Sequence, residues 1–489
     1  MNRALISPLI TLFVVILSGM LLLFVVKGSA DLGFERATLA NDQKTSELLA
    51  IYTRDVIKKS QLEDADEDDG IPMRAGGGGD DPAAKPEPEE KGGGQRVVLW
   101  ISMPGFRGDY LGDKSETPFF DKMINDGGAT DKLRPNFPCM DFPAHVSLAT
   151  GTLVDKHGIT LDKFRTETGE VADHPLDQTL MRAEPIWTTA ARQGIRVLVH
   201  DWPMSQKQPA QNAAAYSLPS YDPALTDQQR LDALYNTWSN DKDPNKLRLL
   251  MIRLNGILDG GMKAGPRKPE AFKGVEEMDK LLADFFKKVE DNWATLAPPK
   301  AELAVVISTN HGLVDLDKNI NLPLLLGEEM TKYLDIFAHD GVAHLYYKGL
   351  PENEGQKKII IDKFDTELKK RTYFRTLTRE ELEPAWAYSV PDRVGDRVLV
   401  LKAGYAFTDA TGKEPVFDPG EGPKKFGGFG YPVELSIRMS GQAIIWGFPT
   451  SPASGDLGEI NFQKFHATVA KLLGIKPADG AVTETLSVN

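Results

Sequence analysis

Residues 96–107 read Arg96-Val97-Val98-Leu99-Trp100-Ile101-Ser102-Met103-Pro104-Gly105-Phe106-Arg107, an unbroken apolar run of strand length that ends in a Pro-Gly turn. A strand with one wet face alternates, whereas a strand covered on both faces reads as a continuous run. This one is therefore expected in the interior of a parallel sheet. Similar runs recur at 197–199, 249–252 and 303–307, and helical patterns occupy 118–125, 184–193 and 275–293. Strands alternating with helices predict an α/β fold, a doubly wound and mostly parallel sheet with right-handed crossovers. Function in such sheets gathers beyond the carboxyl ends of the strands. The segments to inspect are thus 102–107, 201–205, 253–266 and 308–313.

Upstream of that first strand the composition changes twice. Residues 4–26 are apolar apart from small or weakly polar positions and Pro8, long enough to cross a hydrocarbon core of about 30 Å. They read as a transmembrane anchor. The competing reading is a cleaved signal peptide, since Gly28-Ser29-Ala30 resembles a small-residue cleavage site. Arg3 on one side faces Lys27 and Arg36 on the other, so the charge bias that orients a span is weak. Within 28–62, Leu48, Leu49, Ile51, Tyr52, Val56 and Ile57 fall on one helical face, as in a stalk or docking helix. Residues 63–95 are acidic and rich in Gly and Pro, a composition that cannot bury enough apolar surface to offset chain entropy, and they read as a disordered tether. The remaining divisions are a large domain at 96–475 and a C-terminal tail at 476–489.

With 489 residues, the chain has room for one large core. Its formal net charge of -13 excludes a general nucleic-acid binder, which needs clustered Lys and Arg. Cys139 is the only cysteine, so there is neither an intrachain disulfide nor a Cys-based metal site.

Several blocks resemble the type I phosphodiesterase/nucleotide pyrophosphatase family of the alkaline phosphatase superfamily. In order they are VVLWISMPGFRGDYL, TPFFDKMINDGGATDKLRPNFPCMDFPAHVSLATG with KHGIT, EPIWTTAARQGIRVLVHDWPMS, LAVVISTNHGL and GGFGYPVELSIRMSGQAIIWG. The resemblance runs over about residues 96–473 and implies a sheet of alkaline phosphatase type. It also implies two zinc ions, held by acidic and His ligands, and a Thr or Ser nucleophile at a helix start. Two metals work by stabilising the attacking and leaving oxygens together, and zinc needs imidazole, thiolate or carboxylate donors.

This chain departs from that pattern at most of the matching positions. Where the family has Asp-Gly-Phe-Arg, Pro104 leads the motif. The nucleophile motif is Asp141-Phe142-Pro143-Ala144-His145, with Asp141 in place of the hydroxyl residue. Leu258 and Met262 stand at two further ligand positions, with Asp259 one residue away. Asn310-His311 replaces Asp-His, and Phe429 replaces the last His. Only His311 remains a strong ligand, and the resemblance therefore implies no cofactor here despite zinc in the parent family.

Each site residue also has a plainer reading. Asp141 precedes an apolar helical stretch with Pro143 in its first turn, and reads as an N-cap. His311 alone lacks the partners zinc needs and reads as a hydrogen-bonded residue beside a strand end. His145 reads as structural, Cys139 as buried and inert, and His200-Asp201 as local structure. Pro104, Leu258, Met262 and Phe429 would make the old pocket apolar, with packing as the default.

The function expected is a membrane-anchored pseudoenzyme: a phosphodiesterase-like domain outside the cytosol, serving binding or complex assembly, with a membrane-protein complex as its partner. The alternative is a hydrolase or transferase on phosphodiesters or nucleotide pyrophosphates, using a changed site around Asp141, Asn310, His311 and Asp259. In a third reading, helix 46–62 and the span themselves dock to a membrane complex.

Overall fold

The computed structural model describes residues 95–489 apart from 219–221, 223, 422 and 423. The anchor, the stalk helix and nearly all of the tether expected at 4–26, 28–62 and 63–95 lie outside the described residues. Among the described residues, no helix is long and apolar enough to cross a membrane.

Strand Arg96–Ser102 lies inside the main sheet, as its unbroken apolar run requires. It pairs in parallel with Leu247–Arg253 on one side and Glu302–Ser308 on the other. Arg196–His200 and Tyr216–Leu218 extend the parallel set. Past Glu302–Ser308 the sheet continues through Gly441–Phe448, antiparallel to it, and then Gly128–Arg134. The mostly parallel sheet expected from sequence is present.

Period-two alternation decides which core each side chain enters. Val98 and Trp100 join a cluster with Ala304, Val306, Val146, Trp187 and Phe465. Val97, Leu99 and Ile101 point the other way, into a cluster with Leu303, Val305 and Ile307. Helix Pro269–Asp291 covers this second face through Val275, Met278, Leu282, Phe286 and Val289, spaced three or four apart. Burying one such side chain contributes about 1.5–3 kcal/mol.

A second, antiparallel sheet of Leu334–His339, Val342–Tyr347, Arg397–Leu401 and Phe374–Leu377 carries helix Glu354–Lys369. The sequence reading did not separate it: Leu334–His339 and Phe374–Leu377 are short and half-exposed, and in the buried strand Val342–Tyr347 the apolar run is broken by His344. Residues 476–489, set apart as a tail, lie against the body. Leu486 and Val488 are buried, and Asn489 N donates to Pro452 O at 2.8 Å.

Register positions the functional edge. Ser102 pairs with both Arg253 and Ser308, so the three central strands end level. The loops leaving that edge, and helix Asp141–Thr150 beside it, carry the site.

Candidate functional site

Asp141 is the hub. Arg253, the last residue of its strand, donates from Nη1 to Asp141 Oδ2. Asn310 Nδ2 donates to Asp141 Oδ1 at 2.9 Å, and His145 Nδ1 lies 3.0 Å from the same oxygen. His145 Nε2 in turn lies 2.8 Å from Ser102 Oγ. Burial opposes ionisation of Asp141, but Arg253 and then His145 outweigh it and hold the carboxyl below its ordinary range.

Ser102, His145 and Asp141 thus have the connectivity of a Ser-His-Asp relay. Ser102 is fully buried at the strand end and does not border the adjoining cavity.

The N-cap reading of Asp141 is corrected by its geometry. Helix Asp141–Thr150 has Met140 at the cap position, and no side chain of that residue bonds the first turn. Asp162 Oδ1 accepts from Phe142 N at 2.8 Å instead. The Asp141 carboxylate is left to turn toward Arg253. Burial, then the Asp141 charge, pushes the Asp162 carboxyl up.

Behind Arg253 lies a second layer of buried charge. Asp201 Oδ2 sits 3.4 Å from Arg230 Nε and 3.7 Å from Arg253 Nε. Burial raises the Asp201 pKa to about 6, although both guanidinium groups pull it down. Asp201 has φ +57°, a left-handed conformation that an Asp tolerates better than most residues. Reading His200-Asp201 as local structure missed its part in the site. Asp227 bonds Arg230 Nη1 at 3.2 Å and accepts from Asn255 N at 2.9 Å and Gly256 N at 2.7 Å, anchoring the start of helix Gly256–Ala264.

The ligand positions converge in space, yet their donors do not. A Cβ on Gly105 would lie 3.1 Å from Leu258 Cα, so Pro104 and Leu258 come from adjoining backbones. Leu258 and Met262 pack against the cluster that includes Phe429. The His311 ring stacks on Phe429 at 4.2 Å and 18°. His311 Nδ1 lies 2.8 Å from Gly312 O, and burial lowers its pKa to about 4. Asn310 presents its amide nitrogen, a donor, to Asp141.

Zinc does not fit this set. Proline, leucine, methionine and phenylalanine offer no donor of the kind it takes. Asp141, the carboxylate bonded to Asn310, is already paired with Arg253, and Asp340, whose charge also reaches His311, is paired with Lys425. Among the described residues, no group of three or more His, Cys, Asp or Glu side chains is placed to hold a metal.

A cavity of about 460 Å³ opens over this cluster, lined by Asp141, Phe142, Asp201, Arg253, Asn255 and Asp259 among others. Asp259 is thus in the site, and burial raises its pKa. Asn310, His311 and Phe429 are buried beneath it and do not line it. Sequence reasoning missed Arg253 and Asn255. The signal for Arg253 was a cation ending the apolar run 249–252.

Comparison with known proteins agrees with this architecture. The family described as type I phosphodiesterase / nucleotide pyrophosphatase matches residues 98–429. A Schizosaccharomyces pombe protein described as an uncharacterized pyrophosphatase/phosphodiesterase is 21% identical over 344 residues, covering 66% of each chain. Human ectonucleotide pyrophosphatase/phosphodiesterase family member 7 is 26% identical over 244 residues, 46% of this chain and 49% of the relative. Bovine bis(5'-adenosyl)-triphosphatase ENPP4 is 24% identical over 395 residues, 78% of each. The matched part therefore spans from about half to about four-fifths of these relatives. The solved structure of murine ectonucleotide pyrophosphatase/phosphodiesterase 5, an inactive variant in complex with AMP, superposes with a TM-score of 0.66 at 21% identity, over 80% of this chain and 98% of that one.

Proposed function

This chain belongs to the type I phosphodiesterase/nucleotide pyrophosphatase family, and from that premise we propose that it has lost two-metal phosphodiester hydrolysis and serves as a binding or complex-assembly module. One observation carries the reading: the guanidinium of Arg253 is bonded to Asp141, the residue at the family's nucleophile position. Phosphoryl transfer needs positive charge free to meet the phosphate and a nucleophile free to attack it. Here each carboxylate oxygen of Asp141 is engaged, and the adjacent cation is spent on it. Enzymes lower barriers by roughly 8–23 kcal/mol, and with the metals goes a large part of what this family has to work with.

The test is hydrolysis of bis(p-nitrophenyl) phosphate by the full-length chain with zinc supplied. No turnover above a protein-free control is expected. Turnover that vanishes in Asp141→Ala would overturn the reading and favour the alternative, a hydrolase or transferase with a non-standard site. The observation on that side is that Asp141 and Asp259 line one cavity.

The setting proposed is a membrane, with residues 4–26 as the anchor, the large domain outside the cytosol, and a membrane-protein complex as partner. Hydropathy of the segment and the resemblance support this. A chain lacking residues 1–62 that still sediments with membranes would contradict it.

A further inference from the structure

The cavity beside Asp141 contains a group that the fold itself leaves unanswered. Asn255 is 2% exposed and lines the cavity, yet among the described residues neither its Oδ1 nor its Nδ2 has a hydrogen-bond partner. Buried carboxamides are ordinarily satisfied, because an unmade bond costs the full desolvation of the group. Gln206, on the same wall, has a buried Oε1 that is likewise unmatched. The wall also presents Asp141, Asp201 and Asp259, the basic side chains of Arg253 and His174, and an apolar side that includes Phe142 and Leu176.

Ligand chemistries can be separated by what this wall would accept. A phosphate or other anion would meet the carboxylates of Asp141, Asp201 and Asp259, while the two basic side chains of the wall are already engaged, Arg253 by Asp141 and His174 by Asp173. An ammonium brings only donors, leaving Asn255 Nδ2 unmatched. A planar amide would satisfy Asn255 but has too few donors for Asp201, Asp259 and Gln206 as well. Hydroxyl groups both donate and accept, so adjacent hydroxyls on one ligand satisfy the carboxamide and the carboxylates together. The apolar side then takes the C–H face. The volume of about 460 Å³ is that of a small-molecule site.

We propose that this cavity binds a neutral polyhydroxylated ligand of monosaccharide size, with the Asn255 carboxamide as its anchor. The inference rests on the binding-module reading above and names the ligand class of that same site. The test uses the full-length protein, with D-glucose, D-mannose, D-galactose, N-acetyl-D-glucosamine and myo-inositol as probes against inorganic phosphate and AMP, by calorimetry and thermal shift. At least one neutral probe is expected to bind roughly tenfold or more tightly than phosphate, and Asn255→Leu to weaken it by roughly tenfold or more. The same substitution removes an unmatched buried amide, so the Tm of the ligand-free protein should rise. A merely structural Asn255 would make it fall. If Asn255→Leu does not fold, Asp259→Asn at the half-exposed mouth should weaken the same probe with the Tm unchanged.

Binding of none of the neutral probes, preference for phosphate or AMP, or sugar binding untouched by both substitutions would overturn the inference. Turnover of bis(p-nitrophenyl) phosphate in the same preparation would overturn the reading beneath it. No turnover together with no sugar binding would overturn the ligand inference alone.

Discussion

Arg253 and Asp141 lie 112 residues apart in the chain and meet at the carboxyl edge of the sheet, guanidinium to carboxylate, with side chains 6% and 20% exposed. Each comes from a rigid element, Arg253 from the end of strand Leu247–Arg253 and Asp141 from the first turn of helix Asp141–Thr150. In the reading proposed above, this ion pair stands where the resemblance places the metal and the nucleophile.

Breaking that pair should be costly, and removing it whole much less so. Arg253→Met leaves Asp141 half-desolvated without its cation, and a loss of about 3–5 kcal/mol is expected. The double variant with Asp141→Asn should recover much of it. Urea denaturation of the four proteins checks this, and losses that simply add within about 0.5 kcal/mol would contradict it.

Asn310→Asp restores the family's residue yet should harm the protein. Its amide donates to Asp141 Oδ1 at 2.9 Å, and a carboxylate there would both lose the bond and set two like charges together. A loss of about 2 kcal/mol or more is expected at pH 7, narrowing as the medium is acidified and one carboxyl takes a proton. Equal stability to the parent at pH 7 would show that the cluster tolerates a second acid.

The start of helix Asp141–Thr150 depends on Asp162, whose Oδ1 receives Phe142 N at 2.8 Å. Asp162→Ala should cost about 1–2 kcal/mol. Asp141→Asn leaves the helix start intact and should leave helicity unchanged, a contrast that circular dichroism and denaturation resolve together.

Acid sensitivity follows from histidines buried neutral. His157 Nδ1 accepts from Ile159 N at 3.1 Å, and Nε2 meets Ser147 Oγ at 2.9 Å, so the neutral ring is fully matched. Burial, with Arg393 nearby, lowers its pKa to about 3. Below about pH 6.5 the unfolded chain takes up a proton that the folded one refuses, so stability is full above that pH and declines toward pH 3. At pH 5 this residue alone should account for roughly 2 kcal/mol. The loss between pH 7 and pH 5 should shrink by that amount in His157→Gln, measured by denaturation at both values. An unchanged loss would place the acid sensitivity elsewhere.

The central strands were legible because burial on both faces writes an unmistakable run, as in Val97 to Ile101. Helix Pro269–Asp291 was legible from its apolar spacing, although its start lay six residues before the pattern, at a Pro in the first turn. The antiparallel sheet was not, because Leu334–His339 and Phe374–Leu377 are short and half-exposed, and His344 breaks the apolar run of the buried strand Val342–Tyr347. Within the site, positions 104, 141, 258, 310 and 429 were found by matching motifs. Arg253 has no motif of its own and is read only once the strand register brings it level with Ser102. The Asp141 cap was misassigned because sequence shows a carboxylate beside a helix start but not which group it faces. Asp162, the residue that does bond the first turn, lies 20 positions beyond Phe142, whose N–H it receives.

Metal content is the most direct measure of whether the ion pair stands in place of a two-metal centre. The full-length protein, incubated with excess zinc, desalted and analysed by elemental mass spectrometry, should retain well under one equivalent, unchanged by His311→Ala. Retention of about two equivalents, the stoichiometry of a two-metal site, and its loss in His311→Ala and Asp141→Ala, would contradict the claim that an ion pair has replaced the metal centre.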